Sequence, residues 1–133
     1  MTRVFADSFY FLALLNTRDQ YHAKATAFSN QHDQALVTTV WVLTEVADAV
    51  SRSSKRQVFK LLLARMRGDP DCEVVSADQD TWDRAVDLYS RRADKQWSLT
   101  DCISFEIMRE KGLTDALTGD HHFEQAGFTI LLK

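Results

Sequence analysis

Short apolar runs alternate with longer segments in which apolar residues recur every three or four positions. This alternation predicts strands joined by helices, and therefore an α/β fold with a mostly parallel sheet and helices on both faces. In folds of this class, ligands bind beyond the carboxyl ends of the strands. The predicted strands are residues 4–6, 35–38, 72–75, 116–118 and 128–132.

The segments between the strands carry signals for the ends and faces of helices. Segment 9–15 is almost wholly apolar, which predicts a helix packed on all sides. Gly112 predicts a left-handed residue that ends the sixth helix. The predicted N-caps are Asp19 for the second helix, Thr38 or Thr39 for the third, Ser76 or Asp78 for the fifth, and Ser98 or Thr100 for the sixth.

Helical spacing also predicts which faces of the helices are buried. For the third helix, the predicted stripe is Val40, Leu43, Ala47 and Val50. For the fifth helix, it is Trp82, Ala85, Val86, Tyr89 and Ala93.

Length and composition limit the class of protein. The 133 residues predict one domain, 1–133, with a single core. No apolar run approaches the roughly 20 residues of a membrane span, and Asp7 interrupts any signal-like segment, so we expect a cytoplasmic protein with no membrane association. The two cysteines, Cys72 and Cys102, suit neither a disulfide framework nor a zinc site. The net charge of −3 argues against bulk coating of nucleic acid.

Four acidic residues occupy positions that packing alone does not explain: Asp7, Glu45, Asp101 and Asp120. Asp7 and Asp120 follow predicted strands, at the edge of the sheet where sites are built in α/β folds. Carboxylates that converge on one edge repel each other unless a hard divalent cation lies among them. The four acids together therefore indicate a metal site.

Each acid also has a structural interpretation. Asp7 is placed to act as an N-cap, and Asp101 follows Ser98 at the spacing of a capping box. Glu45 fits a solvated helix position, and Asp120 fits a turn. The four histidines lack zinc-site spacing and are expected on the surface, with only His122 near the acids.

The acids and their surroundings resemble those of PIN-domain nucleases, and within them the VapC-type toxins of toxin–antitoxin pairs. The resemblance covers the whole chain. It consists of the acid after the first strand, the glutamate of the third helix, and two longer motifs. These motifs are Ser98-Leu99-Thr100-Asp101-Cys102-Ile103-Ser104 and Ala116-Leu117-Thr118-Gly119-Asp120-His121-His122-Phe123.

This resemblance implies a three-layer α/β/α PIN-like domain that cleaves RNA with a metal-activated water. Asp7, Glu45, Asp101 and Asp120 would then be both the catalytic and the Mg²⁺- or Mn²⁺-binding residues. Such toxins are restrained by a cognate antitoxin, and family members commonly form homodimers. A noncatalytic PIN-fold module that holds RNA or protein is the alternative. A phosphatase of the haloacid-dehalogenase type would need an acid where this chain has Phe9.

Supporting residues are expected around the acids. Ser8 and Thr118 are small hydroxyl residues that either position the carboxylates or make only local hydrogen bonds. Six basic residues and no acid lie between positions 52 and 67; they form either a phosphate track led by Arg52, Lys55 and Arg56 or a solvated helix face. An antitoxin helix is expected in a groove near the first and third helices, with candidates Phe9, Tyr10 and Trp41.

Overall fold

The sheet has five strands, all parallel, in the order β3-β2-β1-β4-β5. A computed structural model describes residues 1–52 and 54–133. The strands lie where the apolar runs predict them, within a few residues at each end, so the predicted α/β fold is confirmed. They are β1 (Thr2–Ala6), β2 (Gln34–Thr39), β3 (Cys72–Val75), β4 (Asp115–Leu117) and β5 (Thr129–Ile130).

Helices connect the strands and begin mostly at the predicted caps. Thr39 accepts a hydrogen bond from the Val42 amide and Asp78 accepts one from the Thr81 amide, both at 3.1 Å. Gly112 is left-handed, with φ 68°. The helices are α1 (Ser8–Leu15), α2 (His22–Ser29), α3 (Val40–Ala49), α4 (Lys55–Arg67), α5 (Gln79–Arg91), α6 (Leu99–Lys111) and α7 (His121–Gln125).

The predicted cap Asp19 is wrong. Its side chain accepts a hydrogen bond from the Tyr21 amide at 2.8 Å, which closes a turn, and α2 begins only at His22. An Asp side chain that bonds two residues ahead makes a local turn, which competes with a cap.

Three predicted helix faces are also corrected. Helix α5 buries Thr81, Ala85 and Leu88, while Trp82 and Tyr89 are 40% and 51% exposed. Helix α1 is buried less completely than predicted: Tyr10, Phe11 and Ala13 are buried, while the remaining apolar residues are half-buried and pack against the core, namely Phe9, Leu12, Leu14 and Leu15. Helix α3 buries Leu43 of its predicted stripe together with Val42 and Val46, whereas Val40, Ala47 and Val50 are half-buried.

The strand order places the ends of β1 and β4 side by side. The chain leaves β1 toward β2 and β3, and returns to the other side of β1 as β4. At such a reversal the connecting helices diverge and leave a crevice at the carboxyl ends of the strands. Among the described residues, no helix is long and apolar enough to cross a membrane.

Gly119 joins β4 to Asp120 where the chain has no room for a side chain. A Cβ atom there would lie 2.5 Å from Cζ of Phe9 and 3.0 Å from the carbonyl oxygen of Leu132. We expect Gly119→Ala to lower the free energy of unfolding by about 1–3 kcal/mol, because overpacking displaces neighbours. Urea denaturation measures this loss. Gly68→Ala is the control, since its nearest contacts would be 3.7 Å away; an equal loss in both variants would contradict the prediction.

Candidate active site

The four acids converge at the crevice between β1 and β4. Asp7 lies between β1 and α1, Glu45 lies in α3, Asp101 lies in the first turn of α6, and Asp120 precedes α7. The negative charges of Asp101 and Glu45 both act to raise the pKa of Asp7, and the charge of Asp120 acts to raise the pKa of Asp101. Residues up to 113 positions apart in the chain therefore form one electrostatic cluster.

Asp7 is the most buried of the four acids. Its residue is 5% exposed, and burial raises the pKa of its carboxyl to about 7, against the lowering effect of hydrogen bonds from Thr118 and the Ser8 backbone. Asp7 precedes α1 in the position of an N-cap, but its side chain makes no capping hydrogen bond. The Asp7 carboxylate instead accepts a hydrogen bond from Thr118, 3.0 Å away, so the N-cap interpretation does not explain this residue.

Asp101 belongs to both a capping box and the acidic cluster, the two roles that its position in the sequence predicts. Its amide donates to Ser98 Oγ at 3.0 Å, and its Oδ2 accepts from the Ser98 amide at 3.1 Å, which is a capping box. The same Oδ2 lies 3.0 Å from Nδ1 of His122. Burial raises the pKa of Asp101, and the bonds from Ser98 and His122 oppose that rise. The capping box therefore does not remove Asp101 from the acidic cluster.

The two predicted supporting hydroxyls both contact the acids. Ser8 Oγ donates to Oε1 of Glu45 at 2.5 Å. Thr118 Oγ1 donates to Oδ2 of Asp7 at 3.0 Å and accepts from the amide of Asp120 at 3.1 Å. Thr118 thus connects two acids of the cluster through one hydroxyl group.

The hydrogen bonds leave oxygens of the cluster available. Within the described chain, Glu45, Asp101 and Asp120 each have one carboxylate oxygen that accepts a hydrogen bond and a second that accepts none. Over the same residues, none of the four acids pairs with a lysine or an arginine; only His121 and His122 approach them. The cluster is therefore rich in oxygen donors and poor in compensating charge.

His122 lies near the acids, as expected, but it is half-buried and not a surface residue. Its side chain is 20% exposed and contacts both Asp101 and Asp120, whereas the His121 side chain is 70% exposed. The one sequence signal for His122 was its position two residues after an acid at the predicted edge of the sheet.

The three basic residues that are candidates for contact with phosphates make no hydrogen bond or ion pair with the four acids in the described chain. Arg52, Lys55 and Arg56 are exposed between α3 and the first turn of α4. Arg56 donates to the carbonyl of Ser51 at 2.6 Å. In residues 1–52 and 54–133, none of the three forms an ion pair, so their charges are available to a ligand.

The three groove candidates do not line one common groove. Tyr10 lines a cavity of about 130 Å³ between α1, α2 and α4. Trp41 lines a separate open cleft with Trp82. Phe9 packs edge-on against Tyr21, with ring centroids 4.9 Å apart. A third cleft does lie between the first and third helices, but it is lined by Leu12, Leu15, Ala49 and Val50 and by none of the three candidates.

Thr118→Val tests the hydroxyl that joins two acids. We expect the variant to weaken metal binding and to raise the pKa of Asp7 further, because it loses the bond that lowers this pKa. The free energy of unfolding should fall by about 1–3 kcal/mol, since the Asp120 amide also loses its acceptor. Calorimetric titration with Mn²⁺ measures the first effect. Thr118→Ser keeps the hydroxyl and should retain most of the binding; a Val variant that binds like the Ser variant would contradict this role.

Comparison with known proteins gives matches over nearly the whole chain. The family model for the PIN domain matches residues 4–129. The chain is 28% identical over 126 residues to the 23S rRNA-specific endonuclease VapC20 of Mycobacterium tuberculosis, covering 94% of this chain and 95% of that protein. The crystal structure of Mycobacterium tuberculosis VapC20, a sarcin-ricin loop cleaving toxin, matches with TM-score 0.87 and 25% identity over 98% of this chain and 99% of the other. VapBC2 from Rickettsia felis, bound to a DNA fragment from their promoter, matches in fold with TM-score 0.69 and 10% identity over 98% of each chain.

Proposed function

The chain belongs to the PIN-domain family, and from that membership we propose that it is a metal-dependent endoribonuclease and the toxin of a toxin–antitoxin pair. Residues 1–133 would form a single nuclease domain. The observation that carries the proposal is the convergence of Asp7, Glu45, Asp101 and Asp120 with no lysine or arginine paired to them among the described residues.

The donor set suits Mg²⁺ or Mn²⁺. Both are hard cations that prefer carboxylate oxygens, and three of the acids offer an oxygen that accepts no hydrogen bond from the described residues. A divalent ion held by these carboxylates would act as a Lewis acid, which activates an attacking water and stabilises charge on the leaving oxygen. The chain's own part is to orient the carboxylates: Ser8 holds Glu45, Thr118 holds Asp7, and Ser98 with His122 holds Asp101.

The substrate that we propose is RNA, and ribosomal RNA is the first to test, since a relative that matches nearly the full chain is named for cleavage of 23S rRNA. Arg52, Lys55 and Arg56 would contact phosphates of the backbone, because they are exposed and carry charge that no described acid neutralises. Such contacts position the RNA and do not select its sequence.

A cleavage assay tests this proposal. Ribosomes and total RNA are incubated with the protein in Mn²⁺, in Mg²⁺ and in EDTA, and new RNA ends are mapped by primer extension. We expect cleavage with either metal and none in EDTA. No cleavage of any RNA by a preparation that binds metal would favour the noncatalytic module, and cleavage that persists in EDTA would contradict metal dependence.

An antitoxin partner is the second part of the proposal. It is supported by the cavity beside Tyr10, which is lined by both apolar and polar side chains and could receive a side chain of an amphipathic helix. A basic residue of that helix would compensate the acids. Co-expression with the neighbouring gene product should give a complex and relieve growth arrest; failure of both would contradict the assignment.

We also propose a homodimer in the cytoplasm. Trp82, Val86 and Tyr89 follow one another along one face of α5, and the two aromatic side chains are substantially exposed, which favours a contact with a second copy. Cys72 and Cys102 are both free thiols, which fits a reducing compartment. Sedimentation at micromolar concentration should show a dimer that Trp82→Glu disrupts; a monomeric wild-type protein would contradict this proposal.

A further inference from the structure

The cavity beside Tyr10 lies at the edge of the sheet opposite the acidic cluster. Its lining includes Gln34 and Cys72, the first residues of β2 and β3, whereas Asp7 and Asp120 lie beyond the last residues of β1 and β4. All five strands are parallel, so the amino-terminal ends of β2 and β3 are at one edge and the carboxyl ends of β1 and β4 are at the other. The cavity is therefore a separate site from the proposed active site.

The size and walls of this cavity suit one aromatic ring. Its volume is about 130 Å³, and an apolar cavity of roughly 150 Å³ is large enough for benzene. Its aromatic walls meet edge-on: the Tyr10 ring lies 5.2 Å from the Phe11 ring and 6.3 Å from the Phe28 ring, centroid to centroid. A further ring would pack well against them, because aromatic rings attract each other edge to face. The aliphatic residues of the lining are Leu14, Leu36, Leu62 and Met66.

Two polar groups of the lining lack hydrogen-bond partners among the described residues. Oε1 of Gln34 is buried and accepts no hydrogen bond. Tyr10 is 2% exposed, and its hydroxyl group makes no hydrogen bond either. A buried polar group without a partner raises the free energy of the folded state, and a ligand that supplies the partner recovers this loss.

The hydroxyl group of Tyr10 faces the cavity. The charge of Arg65 and the Cys72 thiol both act on the pKa of Tyr10, and both residues line the same cavity. Burial raises this pKa to about 12, so the hydroxyl group keeps its proton near neutral pH and is available as a donor.

We propose that this cavity is a binding site for one six-membered aromatic ring that carries a hydroxyl group, as phenol and the tyrosine side chain do. The ring would pack against the apolar walls, and its hydroxyl group would supply the donor that Oε1 of Gln34 lacks. The Tyr10 hydroxyl is available as a second partner. The ring has two possible sources: a free phenol, which goes beyond the proposed function, or a tyrosine of the antitoxin, which rests on it.

Nuclear magnetic resonance of the full-length protein tests the site, with phenol as the probe and toluene as the matched ligand. Toluene has a methyl group where phenol has its hydroxyl group, so the two molecules fill nearly the same space. We expect phenol to shift the methyl resonances of Met66 and Leu36 until the site is saturated. Phenol that causes no saturable shift of these resonances would overturn the proposal.

The variant Gln34→Leu tests the hydrogen bond, because it removes the buried acceptor and keeps an apolar side chain of similar size. We expect the ratio of phenol affinity to toluene affinity to fall about tenfold or more relative to the wild-type protein, since the phenol hydroxyl would be buried without its acceptor. Toluene binding checks that the cavity of the variant is intact.

Tyr10→Phe removes the other unpartnered group, and its ratio should fall in the same direction. The matched control is Gln57→Leu, the same substitution at an exposed position of α4 outside the lining, which should keep the wild-type ratio. A ratio that stays unchanged in both Gln34→Leu and Tyr10→Phe would overturn the proposal.

Titration of phenol into the complex with the antitoxin distinguishes the two sources of the ring. A Met66 resonance that still responds indicates an open cavity and a free phenol as the ligand, whereas a resonance that no longer responds indicates that the antitoxin fills the cavity. The phenol titrations measure neither RNA cleavage nor metal binding. A protein that cuts no RNA would therefore contradict the proposed nuclease and leave this site standing.

Discussion

Asp7→Asn is expected to lower the rate of RNA cleavage by about a thousandfold. This factor corresponds to the several kcal/mol by which a correctly held metal ion stabilises a transition state. The variant should also lose most of the rise in melting temperature that Mn²⁺ gives the wild-type protein, because a ligand that binds only the folded state stabilises it. The assay is cleavage of the mapped RNA site, combined with thermal melts in Mn²⁺ and in EDTA.

The matched control is Asp87→Asn, which removes a carboxylate that is 67% exposed on α5. It should cut RNA like the wild-type protein and keep the full thermal response to Mn²⁺. An Asp7 variant that cleaves RNA at the wild-type rate would remove Asp7 from the metal site.

The second large effect is a loss of stability with rising pH in the absence of metal. Burial raises the pKa of Asp7 from 3.8 to about 7 in the folded protein, so the folded state holds a proton that the unfolded chain releases. The resulting stability is fully present below pH 3.8 and is lost as the pH rises through 7. This shift corresponds to about 4 kcal/mol.

Urea denaturation in EDTA at pH 5 and pH 8 measures this effect in the wild-type protein and in Asp7→Asn. Since Asn does not titrate, the difference between the two proteins isolates Asp7 from all other groups. At pH 8 we expect the variant to be the more stable of the two. If the difference in unfolding free energy between the wild-type protein and the variant is the same at pH 5 and at pH 8, the raised pKa of Asp7 is contradicted.

Sequence periodicity predicted the fold well because the strands are short, apolar and separated by helices with clear caps. Periodicity was less reliable for predicting which face of a helix is buried. In α5, Trp82 and Tyr89 are seven residues apart, and so are Thr81 and Leu88, one position earlier. Periodicity cannot choose between two such stripes. The small side chains of Thr81 and Ala85 let α5 lie close to α6, and that tertiary contact decides which stripe is buried.

The candidate site was predictable where it depends on topology. Carboxyl ends of parallel strands meet at one edge, so Asp7 and Asp120 could be placed there from their positions after β1 and β4. The role of His122 could not be predicted in this way, because its partner Asp101 is 21 residues away in the chain and meets it only when α6 and α7 pack together. Hydrogen-bond partners of this kind depend on side-chain directions that spacing does not give.

The capping box at Asp101 has a consequence for how this chain could change over evolutionary time. Asp101 belongs to the capping box of α6 and to the acidic cluster at once. If the proposed function holds, a mutation to a side chain without an acceptor would lower both the stability of the fold and the activity. At Asp7 the effects on stability and activity would be opposed: on the proposed function, loss of the carboxylate would remove activity, but it would also remove a buried anion that destabilises the fold. A lineage that kept this fold after nuclease activity was no longer selected would therefore be expected to lose Asp7 early and to retain Asp101 longest.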